Sequence, residues 1–210
     1  MRGNFLTDLF IEDVKKPASR TNTYFDIKKE ESDKLDYKDI ITPSYEKGSE
    51  GLAAYVDDAC TKIGRYLKDE LKLDIKNFGG VQIKVDDLGK TYAFTDEGEL
   101  DENSRVLGLY DNGKDEIVID RELYQSRDRE LILRVLGEEL LHYVQDKLGI
   151  IDTAIEKYGR KHRQLIEGSA ASTADDIFGP INSYTEEKAD YRELVGRVGK
   201  RDAFLSPREI

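Results

Sequence analysis

Cysteine is all but missing. Cys60 stands alone, so no internal disulfide can form, and cysteine-built zinc or iron–sulfur sites are excluded by count. A reducing cytoplasm is the expected setting. In "YVDDACTKIGRYL" the residue falls on the apolar side of an expected helix, which marks a buried structural thiol rather than a nucleophile. Positive charge is also short, with 33 Lys and Arg against 44 Asp and Glu, a formal net charge of −11. That balance disfavours nucleic acid, whose phosphates need clustered bases, and an anionic membrane surface. No apolar run approaches the ~20 residues that span a bilayer. The opening "MRGNFLTDLFIEDVKK" breaks its apolar stretch with acids and offers no small-residue cleavage site, so it does not read as a signal peptide. Internal repeats and low-complexity tracts are missing as well. Histidine occurs only twice, at positions 142 and 162.

What is present divides unevenly. Residues 1–50 mix charge, turn formers and isolated aromatics, and are expected to form an N-terminal extension or wrapping arm, with "FLTDLFIEDVKK" a short helix ended by Pro17. Residues 51–210 are expected to form the main domain. Leu52, Tyr55, Val56, Ala59, Ile63, Tyr66, Leu67 and Leu71 recur at three and four, one helical stripe over 52–73, which "NFGG" (Asn77–Gly80) should stop. The period then switches to two. "VQIKV", "TYAFT", "RVLGLYD" and "IVID" are strand candidates, and "DNGKDE" signals a hairpin whose Asn-Gly tolerates a positive φ. Three helices follow. The first is capped by Ser126 and runs to about Leu148. The second is capped by Asp152 and runs to Phe178. The third is "TEEKADYRELVGRV", capped by Ser183 or Thr185. The order predicts an α+β fold: a small, mostly antiparallel sheet of about four strands, packed with an N-terminal helix, a helix carrying the site, and C-terminal helices.

"LILRVLGEELLHYVQDKLG" (Leu131–Gly149) carries the chemistry. Leu131, Val135, Leu136, Leu140 and Leu141 mark its inner stripe, and Glu138, Glu139 and His142 interrupt it. Glu138 and His142, four apart, share one side of a helix with Cβ atoms roughly 6 Å apart. Glu139 lies about 100° further round. Buried charge without a partner is costly, and a divalent cation clamped between Glu138 and His142 is one remedy, with Glu139 in reach of a water on that ion. Downstream, "LIEGSAASTA" sets Glu167 among small residues that let one helix lie close to another. Glu167 is the expected third ligand.

These residues resemble a known family. Glu138-Glu139-Leu140-Leu141-His142 looks like the HExxH helix of zinc peptidases with its first His replaced by Glu. Glu167-Gly168-Ser169-Ala170 is similar to the downstream glutamate segment of gluzincins, and "GLYDNGKDEIVID" to the hairpin these zincin proteases place before the metal helix. The resemblance covers Val106 to about Phe178. It implies a zincin-like peptidase in which Glu138, His142 and Glu167 hold the metal and Glu139 is the general base that deprotonates its water. Zinc is the first choice of metal. The substrate implied is a peptide or protein, bound extended along the edge strand of the hairpin. Tyr184 and Tyr191 are available as oxyanion helpers. Glu138 departs from the pattern: a second carboxylate weakens the ion's acidification of water and widens the metal choice to manganese or iron.

Plainer readings stand beside this one. Arg134–Glu138 and Arg163–Glu167, each four apart, are also the spacing of ordinary surface ion pairs. His162, in the basic run "GRKHR", is expected to be an exposed residue. Glu139-x-x-His142 also matches the ExxH of di-iron bundles, but Gly159 occupies the position where a second motif ending at His162 would need its glutamate. A non-catalytic scaffold of the same shape, binding a partner through its sheet edge, is the rival from another class.

Overall fold

The computed structural model describes residues 36–88, 106–158, 162–181 and 184–209; the strand expected at "TYAFT" and the short helix expected before Pro17 lie outside them. Among the described residues the protein is α+β, with four strands in one mixed sheet and seven α-helices, none long and apolar enough to cross a membrane.

The strands are β1 (Thr42–Tyr45), β2 (Gly80–Asp86), β3 (Gly108–Asp111) and β4 (Glu116–Asp120), in spatial order β1-β2-β4-β3. Only β3–β4 is antiparallel; β1–β2 and β2–β4 are parallel. The expectation of a mostly antiparallel sheet is therefore corrected. The reason is connectivity. Helix α1 (Ala53–Arg65) lies between β1 and β2 in the chain, and a strand that returns through a helical crossover returns parallel. β4 lies between two strands, and all five of its residues are buried, as expected for a strand covered on both faces. β1 falls within the segment read as an appendage. From Asp36 onward that segment is tied to the rest: the Thr42 amide donates to the Gly79 carbonyl, and the Asn77 side chain donates to the Asp39 carbonyl.

The β3–β4 hairpin forms at "DNGKDE", but its positive φ falls on Asp115, not on Asn-Gly. The Asp111 carboxylate accepts the Gly113 amide and the Asp111 carbonyl accepts Lys114, an Asx turn that fixes the bend one step before the left-handed residue.

The stripe predicted over 52–73 forms α1, with Val56, Ala59, Cys60 and Ile63 buried along it. It then widens into a π turn at Tyr66–Glu70 and ends before Asn77–Gly80. Cys60 is fully buried, and burial, with Asp57 and Asp39, pushes its thiol up to about 12. Next come α2 (Arg121–Ser126) and α3 (Arg129–Lys147). Ser126 ends α2 rather than capping α3. Arg127, at φ 57°, breaks the helix, and the Asp128 carboxylate caps α3 through the Leu131 amide. The helix expected over 153–178 is observed as α4 (Ile150–Tyr158) and α5 (His162–Phe178), with Asp152 inside α4. α6 (Thr185–Val198) begins after Tyr184, which makes no side-chain cap bond, and α7 (Lys200–Glu209) was not anticipated.

α3 is the central element. It packs on α1, α4, α5, β3 and β4, and twelve of its nineteen residues are buried. Gly137 makes the closest approach. A Cβ there would lie 2.2 Å from the Phe178 ring, so only glycine lets the end of α5 seat against the middle of α3. Arg134, Glu138 and Gln145 on α3 consequently face protein, not water.

Candidate metal centre

Glu138 and His142 project from one side of α3, and Glu167 reaches them from α5, as their spacing predicts. One donor atom from each lies within 4.8 Å of the other two. A tetrahedral ion with bonds of 2.0–2.2 Å needs donors about 3.4 Å apart, and His142 Nε2 lies 3.3 Å from Glu167 Oε2. The set of two carboxylates and an imidazole suits zinc, manganese or iron. The side chains of Glu138 and His142 are 8% and 12% exposed and Glu167 22%, so the cluster opens to solvent on the α5 side.

The imidazole is held in a usable orientation. His142 Nδ1 lies 3.1 Å from Gln145 Oε1, and as a donor to that oxygen it leaves Nε2 directed at Glu167, where its lone pair becomes available to an ion once the Nε2 proton is displaced. Gln145 is fully buried, and its amide donates to the Ile166 carbonyl at 3.5 Å, the residue before Glu167. One amide thus orients the histidine and ties α3 to the turn that carries the third donor. The spacing of three between His142 and Gln145 is the signal sequence reading passed over.

Glu138 also has the partner its spacing allowed. Arg134 Nη1 donates to Glu138 Oε2 at 2.7 Å. The pair is not a surface pair. The Arg134 side chain is 2% exposed, with Nη2 donating to Asp175 (2.8 Å) and the Ala171 carbonyl (3.1 Å), and Nε to the Gly179 carbonyl (3.3 Å). Asp175 in turn takes Lys188 Nζ at 2.9 Å and Arg192 at 3.1 Å. Burial raises the Asp175 carboxyl, but Arg134 and Lys188 outweigh it and hold it below the usual range.

Glu139 lies beside the cluster and leans toward β3. The Tyr110 amide donates to its carboxylate, and a side chain on Gly108 would come within 3.0 Å of its Cγ and Oε1. Burial, reinforced by Glu138 and Glu167, pushes Glu139 up to about 8, against the pull of His142. For His142 burial works downward, but Glu167, Glu139 and Glu138 outweigh it and raise the ring to about 9. Burial also raises Glu138, against Arg134 and His142. At neutral pH the metal-free cluster therefore carries imidazolium against Glu167, with Glu139 largely protonated. A cation binding there displaces those protons.

Of the two candidate oxyanion helpers, Tyr191 does not face the cluster. Tyr191 is buried with its hydroxyl against Ser169 and Thr173, round the α5 axis from Glu167, and Tyr184 is 36% exposed. The side chains of His162 and Arg163 lie outside the described residues. No protein-family model, no curated protein and no solved structure matches the chain.

Proposed function

We propose that this protein is a metal-dependent peptidase of the zincin kind, hydrolysing an extended peptide or protein segment. The observation behind this reading is the meeting of Glu138, His142 and Glu167 with Glu139 at their side and β3 next to Glu139. Glu138, His142 and Glu167 would hold the ion, zinc first and manganese or iron as alternatives, which would supply a Lewis acid for a carbonyl and a water. Glu139 takes the proton of the attacking water and passes it to the leaving amine; a carboxyl near 8 is matched to that exchange at neutral pH, and a neighbouring cation shifts it toward the basic form. β3, the terminal strand of the described sheet, lies alongside and fits an added peptide strand.

The test is Glu139→Gln. Metal content is expected to match the parent, while hydrolysis of an unstructured protein such as casein falls by about 100-fold or more. Parent and variant equally inert with zinc, manganese and iron would exclude the enzyme.

A second reading has its own observation. Every donor already has a protein partner: Glu138 has Arg134, Glu167 has His142, and His142 has Gln145. Such a set is satisfied without an ion, as a non-catalytic scaffold binding a partner at the sheet edge would require. Elemental analysis of parent and His142→Ala, purified without added metal, separates the two: equal, negligible metal in both favours the scaffold.

A further inference from the structure

Resting on the metal-site reading, we propose that Arg134 and Glu138 act as one charge-neutral ligand: the guanidinium cancels the carboxylate, and the ion meets the field it would meet from an imidazole in that place.

Arg134 touches two carboxylates, Glu138 and Asp175, all three nearly out of water at 2%, 8% and 4% side-chain exposure. Asp175 has a cation of its own. Lys188, 7% exposed, lies 2.9 Å away, and the more exposed Arg192 adds a second contact. Lysine and Asp175 balance, which leaves the Arg134 charge for Glu138. The guanidinium is fixed from behind by the Ala171 and Gly179 carbonyls, so it cannot swing away when an ion arrives. Its bond is to Glu138 Oε2 alone, and the other carboxylate oxygen is left for a cation.

The chemical consequence bears on the departure at position 138. An uncompensated second carboxylate would leave a divalent ion too neutral to acidify water well. With Glu138 cancelled by Arg134, the bound ion faces one effective ligand charge, that of Glu167, and keeps its Lewis acidity. Arg134 is thus a positioning and charge-setting residue rather than a ligand.

The experiment measures zinc and manganese affinity, by competition with a chromophoric chelator, and the metal-induced shift in Tm. It compares the parent with Arg134→Met, Arg134→Lys, Glu138→His and Arg134→Met/Glu138→His. Glu138→His alone leaves a bare guanidinium beside the ion and is expected to weaken binding about tenfold or more. Adding Arg134→Met is expected to recover most of that loss. Arg134→Met alone lowers the metal-free Tm but enlarges the metal-induced shift, because Glu138 then has only the ion; Arg134→Lys keeps the parent shift. Should Arg134→Met fail to fold, Arg134→Gln carries the same comparison. The proposal is overturned if Arg134→Met lowers Tm equally with and without ion, or if Glu138→His binds ions equally whatever residue stands at 134. A parent that binds neither ion ends both the proposal and the metal site, whereas a binding parent without coupling between 134 and 138 ends the proposal alone.

Discussion

Two groups of acids flank the C-terminal half of α3, and their charge is balanced by different means. At the hairpin, the Tyr110 hydroxyl lies 3.1 Å from Asp115 and 3.0 Å from Asp146, and Lys147 pairs with both carboxylates. One turn earlier Glu138, Glu139 and Glu167 surround His142. The first group has a lysine built into it, whose Nζ also lies 5.2 Å from the centre of the Tyr143 ring. The second relies on an imidazole, whose charge depends on pH, and on Arg134 one turn back along the helix. The difference teaches where an added cation has something to gain: beside the histidine, not beside the lysine.

That contrast can be broken most directly by His142→Ala. At an ion concentration 100 times Kd the parent is expected to gain about 2.7 kcal/mol from the ion, and the variant none, measured by calorimetry with and without zinc or manganese. Lys147→Met is the matching change at the other group. It is expected to cost about 2 kcal/mol, less than the roughly 3–5 kcal/mol of a fully buried pair because Asp115 is 37% exposed, and neither ion should restore the loss. Rescue of Lys147→Met by zinc would dissolve the distinction. Gln145→Leu removes the group that orients His142 and is expected to weaken metal affinity about tenfold, about 1.4 kcal/mol, in chelator competition, leaving the hairpin group untouched.

The gentlest change is pH. His142, raised to about 9, contributes stability that is complete below about 6.5 and lost as pH rises through 9. Glu139, raised to about 8, binds its proton more tightly folded than unfolded, so its ionisation destabilises the fold progressively from about 4.5 to 8. Both slopes have one sign. The metal-free Tm should fall gradually from pH 6 to 9, and saturating zinc should flatten the fall. A metal-free Tm that rises over this range would contradict the shifts.

The meeting of Glu138, His142 and Glu167 was legible in the sequence because it is written in local spacing: Glu138 and His142 share a helix face by period alone, and Glu167 stands out in a run of small residues. The α1 stripe, the hairpin and the helical second half were legible for the same reason. The sheet order was not. "TPSY" is four residues with a proline and no apolar alternation, and nothing local announces that a helix will carry the chain back to lie parallel to it. Helix α7 also escaped notice, since its buried residues, Ala203, Phe204 and Leu205, are consecutive rather than periodic. The reach of Arg134 was hidden by its type. An arginine four before a glutamate reads as a surface pair, and only the approach of α5, with Asp175 and two carbonyls, takes it out of water. Asp175 and Lys188 are invisible as a pair until α5 and α6 are side by side.

Gly137 sits one position before the acidic pair, with the Phe178 ring where a methyl group would otherwise be. Bulk at the one place excludes a ring at the other, so descendants of this gene can drift at these two positions only in step. A glycine directly ahead of two glutamates, matched to an aromatic at the end of α5, is accordingly a fingerprint by which distant kin can be told from chance resemblance.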